Sequence, residues 1–148
     1  MRLILAMVST LLVLAGPARA AEEVVVATVS GGFDAVKDNV GSAIEGKGLV
    51  ISSVSKVAEM LDRTAADVGA KRKVYTQGEV FEFCSASVSR QIMEADPRHL
   101  AFCPFTIAVY TLPDQAGKVF VAYRAPPAGK AFDPMRSLLQ GIVAEAIR

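Results

Sequence analysis

The chain has 148 residues, of which 52% are hydrophobic and 21% charged, and its formal net charge is +1 at pH 7. The apolar content excludes a disordered protein, and the length allows one domain with a sizeable core. A near-zero net charge without a long basic run argues against a nucleic acid partner. The composition therefore predicts a single folded domain.

The first 20 residues have the pattern of a secretory signal peptide. Arg2 supplies a positive start, an apolar run extends from Leu3 to Ala15, and Ala18-Arg19-Ala20 has the small residues of a cleavage site. The apolar run is too short for a membrane span, and no second stretch approaches that length. We therefore expect a mature single domain of residues 21–148, without a membrane span, in the periplasm or secreted.

Hydrophobic patterning predicts the order β-α-β-α-β-α-β-β-α along the mature chain. Strands are predicted from β-branched or alternating apolar runs at 24–29, 49–55, 74–84, 105–112 and 119–124. Helices are predicted from apolar residues at helical spacing at 33–45, 57–68, 86–95 and from 133 onward. Gly78, within the third strand, predicts a bulge or kink.

Short strands that are only half apolar, with helices between and after them, favour an α+β fold. We expect a mostly antiparallel sheet with helices packed on one face, because strands of a doubly wound parallel sheet would be near-continuous apolar runs. Tyr110, Phe120 and Tyr123 are expected to pack the hairpin between the last two strands. The last helix should belong to the core through one apolar stripe, Met135, Leu138, Leu139, Ile142, Val143 and Ile147.

The residues that could carry chemistry are two cysteines and the single histidine. Cys84 ends the third predicted strand, Cys103 precedes the fourth, and His99 lies four residues before Cys103. In an oxidising compartment such a pair favours a disulfide, and antiparallel strands would bring the two Cα atoms within about 4.4–6.8 Å. The cysteines could instead be separate thiols, with Cys84 activated by the following helix N-terminus.

Cys84, His99 and Cys103 could also bind a transition metal or a haem iron. Their spacing matches no zinc motif, a fourth ligand is missing, and the chain has no C-x-x-C-H haem attachment motif. No catalytic set is predicted, because Glu79 and Glu82 do not share a strand face. A non-enzymatic binding or accessory module is the first hypothesis, ahead of a structural protein and a thiol–disulfide redox protein.

From Phe83 to Pro126 the sequence resembles the bacterial and archaeal family called domain of unknown function 302. The matching segments are, in order, FCSA (83–86), ADP (95–97), AFCPF (101–105), IAVY (107–110) and GKVFVAYRAP (117–126). The upstream helix and the LVISSVSKV that follows it also fit. Cys84 is followed here by Ser-Ala, where many relatives carry Asn-Pro or Asn-Ala.

The resemblance implies a β-α-β(4)-α sandwich like that of the TATA-binding protein, here with an extra helix and often found as a homodimer. It implies no activity, because a fold alone does not determine function. Many members are cytoplasmic and lack these cysteines, so exported chains that carry both look like a subgroup. The resemblance directs attention to the region of Cys84 and Cys103.

Overall fold

The computed structural model describes residues 23–148, so the predicted signal peptide lies outside the described residues. The strands are β1 (Val24–Ser30), β2 (Val50–Ser55), β3 (Gln77–Cys84), β4 (Phe105–Thr111) and β5 (Lys118–Arg124). The helices are α1 (Phe33–Glu45), α2 (Val57–Thr64), α3 (Ala86–Ala95) and α4 (Asp133–Ala146). Short 3₁₀ helices occupy Pro97–Phe102 and Lys130–Phe132.

The strands form one sheet in the order β1-β5-β4-β3-β2, and every neighbouring pair is antiparallel. This topology confirms the predicted α+β fold with an antiparallel sheet. Among residues 23–148, no helix is both long and apolar enough to cross a membrane.

The core lies between one face of the sheet and the helices α1, α3 and α4. Alternate residues of the three central strands are buried on this face: Phe81, Phe83, Phe105, Ile107, Val109, Val119, Val121 and Tyr123. From α4, Leu139 and Ile142 are buried against them, as the stripe predicted. Two residues of the predicted stripe are less buried than expected. Leu138 is half-buried, and Ile147, which lies beyond the last helical turn, is 36% exposed.

The prediction of a bulge or kink at Gly78 is wrong. Gly78 pairs with Tyr110 in unbroken register, whereas the register of β2 shifts between Ile51 and Ser53. A Cβ atom at position 78 would lie 3.5 Å from the Cβ of Ala58 in α2. Gly78 therefore lies beneath α2 in a regular stretch of β3, and not at a kink.

Two predicted elements are shorter than expected. Helix α2 ends at Thr64 and not at residue 68, and β3 begins at Gln77 and not at residue 74. Ala58 is the one buried residue of α2. Because most helix stability in proteins comes from a buried face, little packing is available to extend this helix by another turn.

Candidate functional site

Cys84 and Cys103 are joined by a disulfide at one end of the sheet. The antiparallel pairing of β3 with β4 sets Phe83 opposite Phe105, so Cys84 and Cys103, one and two residues beyond this pair, lie close together. The Cα atoms of the two cysteines are 6.4 Å apart, which confirms the predicted bridging distance.

The two cysteines of this bridge differ in exposure. Cys84 is exposed and precedes Ser85, the N-cap of α3, whose hydroxyl accepts a hydrogen bond from the backbone N–H of Val88. Cys103 is half-buried, and its Sγ lies 3.8 Å from the hydroxyl oxygen of the buried Ser89. The bridge therefore fixes the N-terminus of α3 to the start of β4.

The third predicted site residue, His99, is engaged by its own surroundings. Its Nδ1 atom lies 2.6 Å from the carbonyl oxygen of Ile92, to which it donates a hydrogen bond. Its ring packs against Phe132 and Phe102, with centroid distances of 4.6 and 5.9 Å. The ring thus joins the 3₁₀ helix Pro97–Phe102 to the segment that leads into α4.

Whether Cys84, His99 and Cys103 could bind a metal or haem iron depends on the oxidation state of the two cysteines. A soft metal ion binds thiolate sulfur, and the disulfide leaves Cys84 and Cys103 without a thiolate. Within residues 23–148, no group of three or more His, Cys, Asp or Glu side chains could hold a metal ion. In the oxidised protein the two cysteines therefore have a structural role, because their bridge connects the end of β3 and the N-terminus of α3 to the start of β4.

A second candidate site lies on the face of the sheet that points away from the core, which we call the open face. Cross-strand pairing aligns one row of its residues, Val26, Ala122, Ala108 and Val80, on four adjacent strands. Side chains of directly paired residues point to the same face. Helix α2 covers this face at one corner, over Gly78.

Two adjoining depressions on the open face form what we call the groove. Their volumes are about 510 and 360 Å³, within the usual range of small-molecule sites. Both are lined by Val24, Val80, Ala108 and Ala122. The two alanines leave room in the middle of the face, where longer side chains would fill it.

The two ends of the groove differ in chemistry. One end is lined by Glu23, Thr106 and Arg124, and so offers charged and hydrogen-bonding groups. The other end is lined by Tyr75 and Tyr110, whose rings meet edge to face at 5.4 Å. The groove therefore runs from a polar end to an aromatic end.

The aromatic end is organised by stacking. The ring of Tyr110 stacks on that of Phe120 at a centroid distance of 5.1 Å and an interplanar angle of 15°. Burial raises the pKa of the Tyr110 phenol, and the neighbouring Tyr75 raises it further. Tyr123 is buried on the opposite, helix-covered face, and burial raises its pKa despite the opposing influence of Arg136. The groove thus has two aromatic side chains at one end, held by a third.

Comparisons with known proteins agree with this architecture. The sequence profile of the family described as "Domain of unknown function DUF302" matches residues 25–144. A solved structure described as an uncharacterized conserved protein DUF302 from Bacillus stearothermophilus is 16% identical, with a TM-score of 0.66. That match covers 86% of this chain and 100% of the solved chain. No curated protein shows significant similarity in sequence. The chain therefore belongs to the DUF302 family.

Proposed function

We propose that the protein is an exported, non-enzymatic binding module, and that its ligand occupies the groove on the open face. The proposed ligand is an elongated apolar molecule with a polar end group. One observation carries this proposal: the two depressions on the open face share one apolar floor, formed by Val24, Val80, Ala108 and Ala122.

The dimensions and lining of the groove support an elongated ligand. Thr106 and Tyr110, at its two ends, are four residues apart in β4, which corresponds to about 14 Å along a strand. Val24 and Val26, which flank the floor on β1, are 48% and 47% exposed. An apolar chain lying on the floor would remove these side chains from water, a gain of about 25 cal/mol per Å².

The polar end of the ligand would lie beside Arg124 and Thr106. A guanidinium and a hydroxyl can both donate hydrogen bonds to a ligand oxygen, while the nearby Glu23 carboxylate can accept one. A carboxylate end group would be attracted by the positive charge of Arg124 and repelled by the negative charge of Glu23. A hydroxyl end group could accept a hydrogen bond from Arg124 and donate one to Glu23.

The proposed location rests on the signal-like residues 1–20 and on the disulfide. Disulfides persist in the periplasm and outside the cell, and a signal peptide leads there. In this proposal the chain represents an exported, two-cysteine subgroup of the family. N-terminal sequencing of the protein from a periplasmic extract should read AEEVVV, and a retained Met1 in that extract would contradict the proposal.

A homodimer is part of the proposal. The family resemblance implies it, and β1 lies at the edge of the sheet that the described strands form, where a second copy could pair. Self-association and ligand binding are separate properties, and each has its own measurement.

A thiol–disulfide redox protein is the second candidate function. One observation favours it: Cys84 is exposed and directly precedes the N-terminus of α3, an arrangement that lowers the pKa of a thiol. Cys103 would then be the resolving cysteine. Equilibration with glutathione buffers, followed by alkylation and mass measurement, separates the candidates. A structural bridge stays closed across physiological buffers, whereas a redox-active bridge opens and closes within them.

Binding to the groove can be tested by titration calorimetry with dodecanol and dodecanoate as probes. Ala122→Phe would fill the middle of the groove and should weaken both probes by about tenfold or more. Ala35→Phe, the same substitution at an exposed position of α1, should leave binding unchanged. Arg124→Gln should weaken dodecanoate more than dodecanol. Absence of saturable binding by either probe, or equal effects of the two phenylalanine variants, would overturn the proposal.

A further inference from the structure

We infer that the outer edge of β1 pairs, antiparallel, with the same edge of a second copy of this chain. This inference rests on the proposed homodimer and specifies where the two copies meet. It starts from the position of β1 at one end of the sheet, where β5 is its single neighbour among the described strands.

The hydrogen bonds at the ends of β1 identify which of its backbone groups point away from β5. Ala125 N–H donates to the carbonyl of Glu23 at 2.9 Å, and Gly31 N–H donates to the carbonyl of Gly117 at 3.3 Å. Because bonding alternates along an antiparallel strand, the odd-numbered residues of β1 bond to β5. The N–H and C=O groups of the even-numbered residues therefore point outward: Val24, Val26, Thr28 and Ser30.

This edge lacks the features that normally prevent strands from pairing. The sequence of β1, VVVATVS, contains no charge and no proline, and it pairs with β5 in unbroken register over seven residues. The opposite edge, β2, has a register shift between Ile51 and Ser53 and is followed directly by Lys56. Bulges and lysines of this kind discourage edge pairing. The two edges of the sheet thus differ, and β1 is the one suited to a partner.

A row of outward N–H and C=O groups specifies an extended strand as the partner. An antiparallel strand pair is symmetric about a two-fold axis, so one uncharged β1 can serve as the partner of another. Centring the axis on Ala27 would pair the whole strand, with Val24 opposite the partner's Ser30 and Val26 opposite the partner's Thr28. In the exported form proposed above, cleavage after Ala20 would leave two residues, 21 and 22, ahead of the described ones.

Pairing at this edge would join the grooves of the two copies. The even-numbered side chains of β1 lie on the open face, beside Ala122 and Phe120 of β5. A two-fold axis perpendicular to the sheet keeps the open faces of both copies on the same side. Val24 and Val26, which flank the groove, would then continue onto the partner's Thr28 and Ser30. Each copy would thus contribute side chains to the rim of its partner's groove.

Amide hydrogen exchange of the mature protein, followed by NMR, tests the inference without substitution. The N–H of Ala27 bonds to β5 and should exchange slowly in any state. The N–H groups of Val26 and Thr28 should be slow only if the outer edge is paired. Fast exchange at both positions in a sample that sediments as a dimer would overturn the inference, and so would a monomer at all concentrations.

A substitution tests the same contact by sedimentation. Val26→Pro removes an outward N–H and should weaken self-association by about tenfold or more, since proline is tolerated at a strand edge. Val26→Thr keeps the N–H and should remain a dimer. If Val26→Pro proves unfolded by circular dichroism, the exchange result decides. Dodecanol binding by a monomer would refute the dimer alone, whereas a β1-paired dimer that binds neither probe would refute the ligand proposal alone.

Discussion

Removal of the disulfide should lower the stability of the domain by a large fraction. Cys84 and Cys103 are 19 positions apart, and closing a loop of that length restricts the unfolded chain by about 3 kcal/mol. The total stability of a domain is about 5–15 kcal/mol. For a domain of this size, 1 kcal/mol corresponds to about 4 °C in Tm, so we expect Cys84→Ser with Cys103→Ser to lower Tm by about 12 °C.

The assay is differential scanning calorimetry of the mature protein with and without a phosphine reductant. The wild-type protein should lose about the same 12 °C when reduced, whereas the double variant should be insensitive to reductant. Ala86→Ser, an exposed change beside the bridge, serves as a control and should leave Tm nearly unchanged. A wild-type Tm that reductant does not move, in protein shown by alkylation to be fully reduced, would refute the reasoning.

Two further predictions concern the core and the pH dependence of stability. Leu139 is 1% exposed, so Leu139→Ala should lower the free energy of unfolding, measured by thermal melting, by about 2–5 kcal/mol. Ser137→Ala, on the exposed side of α4, should change it little. Equal effects of the two variants would contradict the assigned apolar stripe. The raised pKa of Tyr110 means that the folded chain holds this phenol proton to higher pH than the unfolded chain does. The stability that this shift contributes is therefore present below the ordinary pKa of 10.0 and is lost as pH rises through the higher folded value. Tyr110→Phe should therefore reduce the loss of stability above pH 10. An unchanged dependence of stability on pH in this variant would refute the prediction.

Much of the fold could be predicted because its signals are local. The apolar stripe of α4 and the hairpin of β4 and β5 depend on residues close together in the chain. The order of the strands depends on distant pairings, so the edge position of β1 could not be predicted from its valine run. The register shift of β2 likewise depends on pairing between strands, whereas the bulge or kink predicted at Gly78 of β3 is absent from its regular pairing with β4.

The candidate site divides in the same way. The disulfide could be predicted, because two cysteines at the ends of consecutive antiparallel strands must lie at one end of a sheet. The hydrogen bond of His99 to the Ile92 carbonyl could not, since it depends on how the 3₁₀ helix packs on α3. Ala108 and Ala122 carry no signal individually, and they form a groove only because the register of β4 and β5 sets them side by side.

The groove is tested most directly by NMR mapping of dodecanoate onto the mature protein. The backbone amide signals of Val80, Ala108 and Ala122, which lie in one row of the open face, should shift together and saturate at the calorimetric affinity. Signals of Ser89 and Ile92, the buried residues of α3, should stay in place because α3 lies on the other face of the sheet. Saturable shifts confined to the disulfide corner, or no saturable shift on the open face, would contradict the proposal that this face binds the ligand.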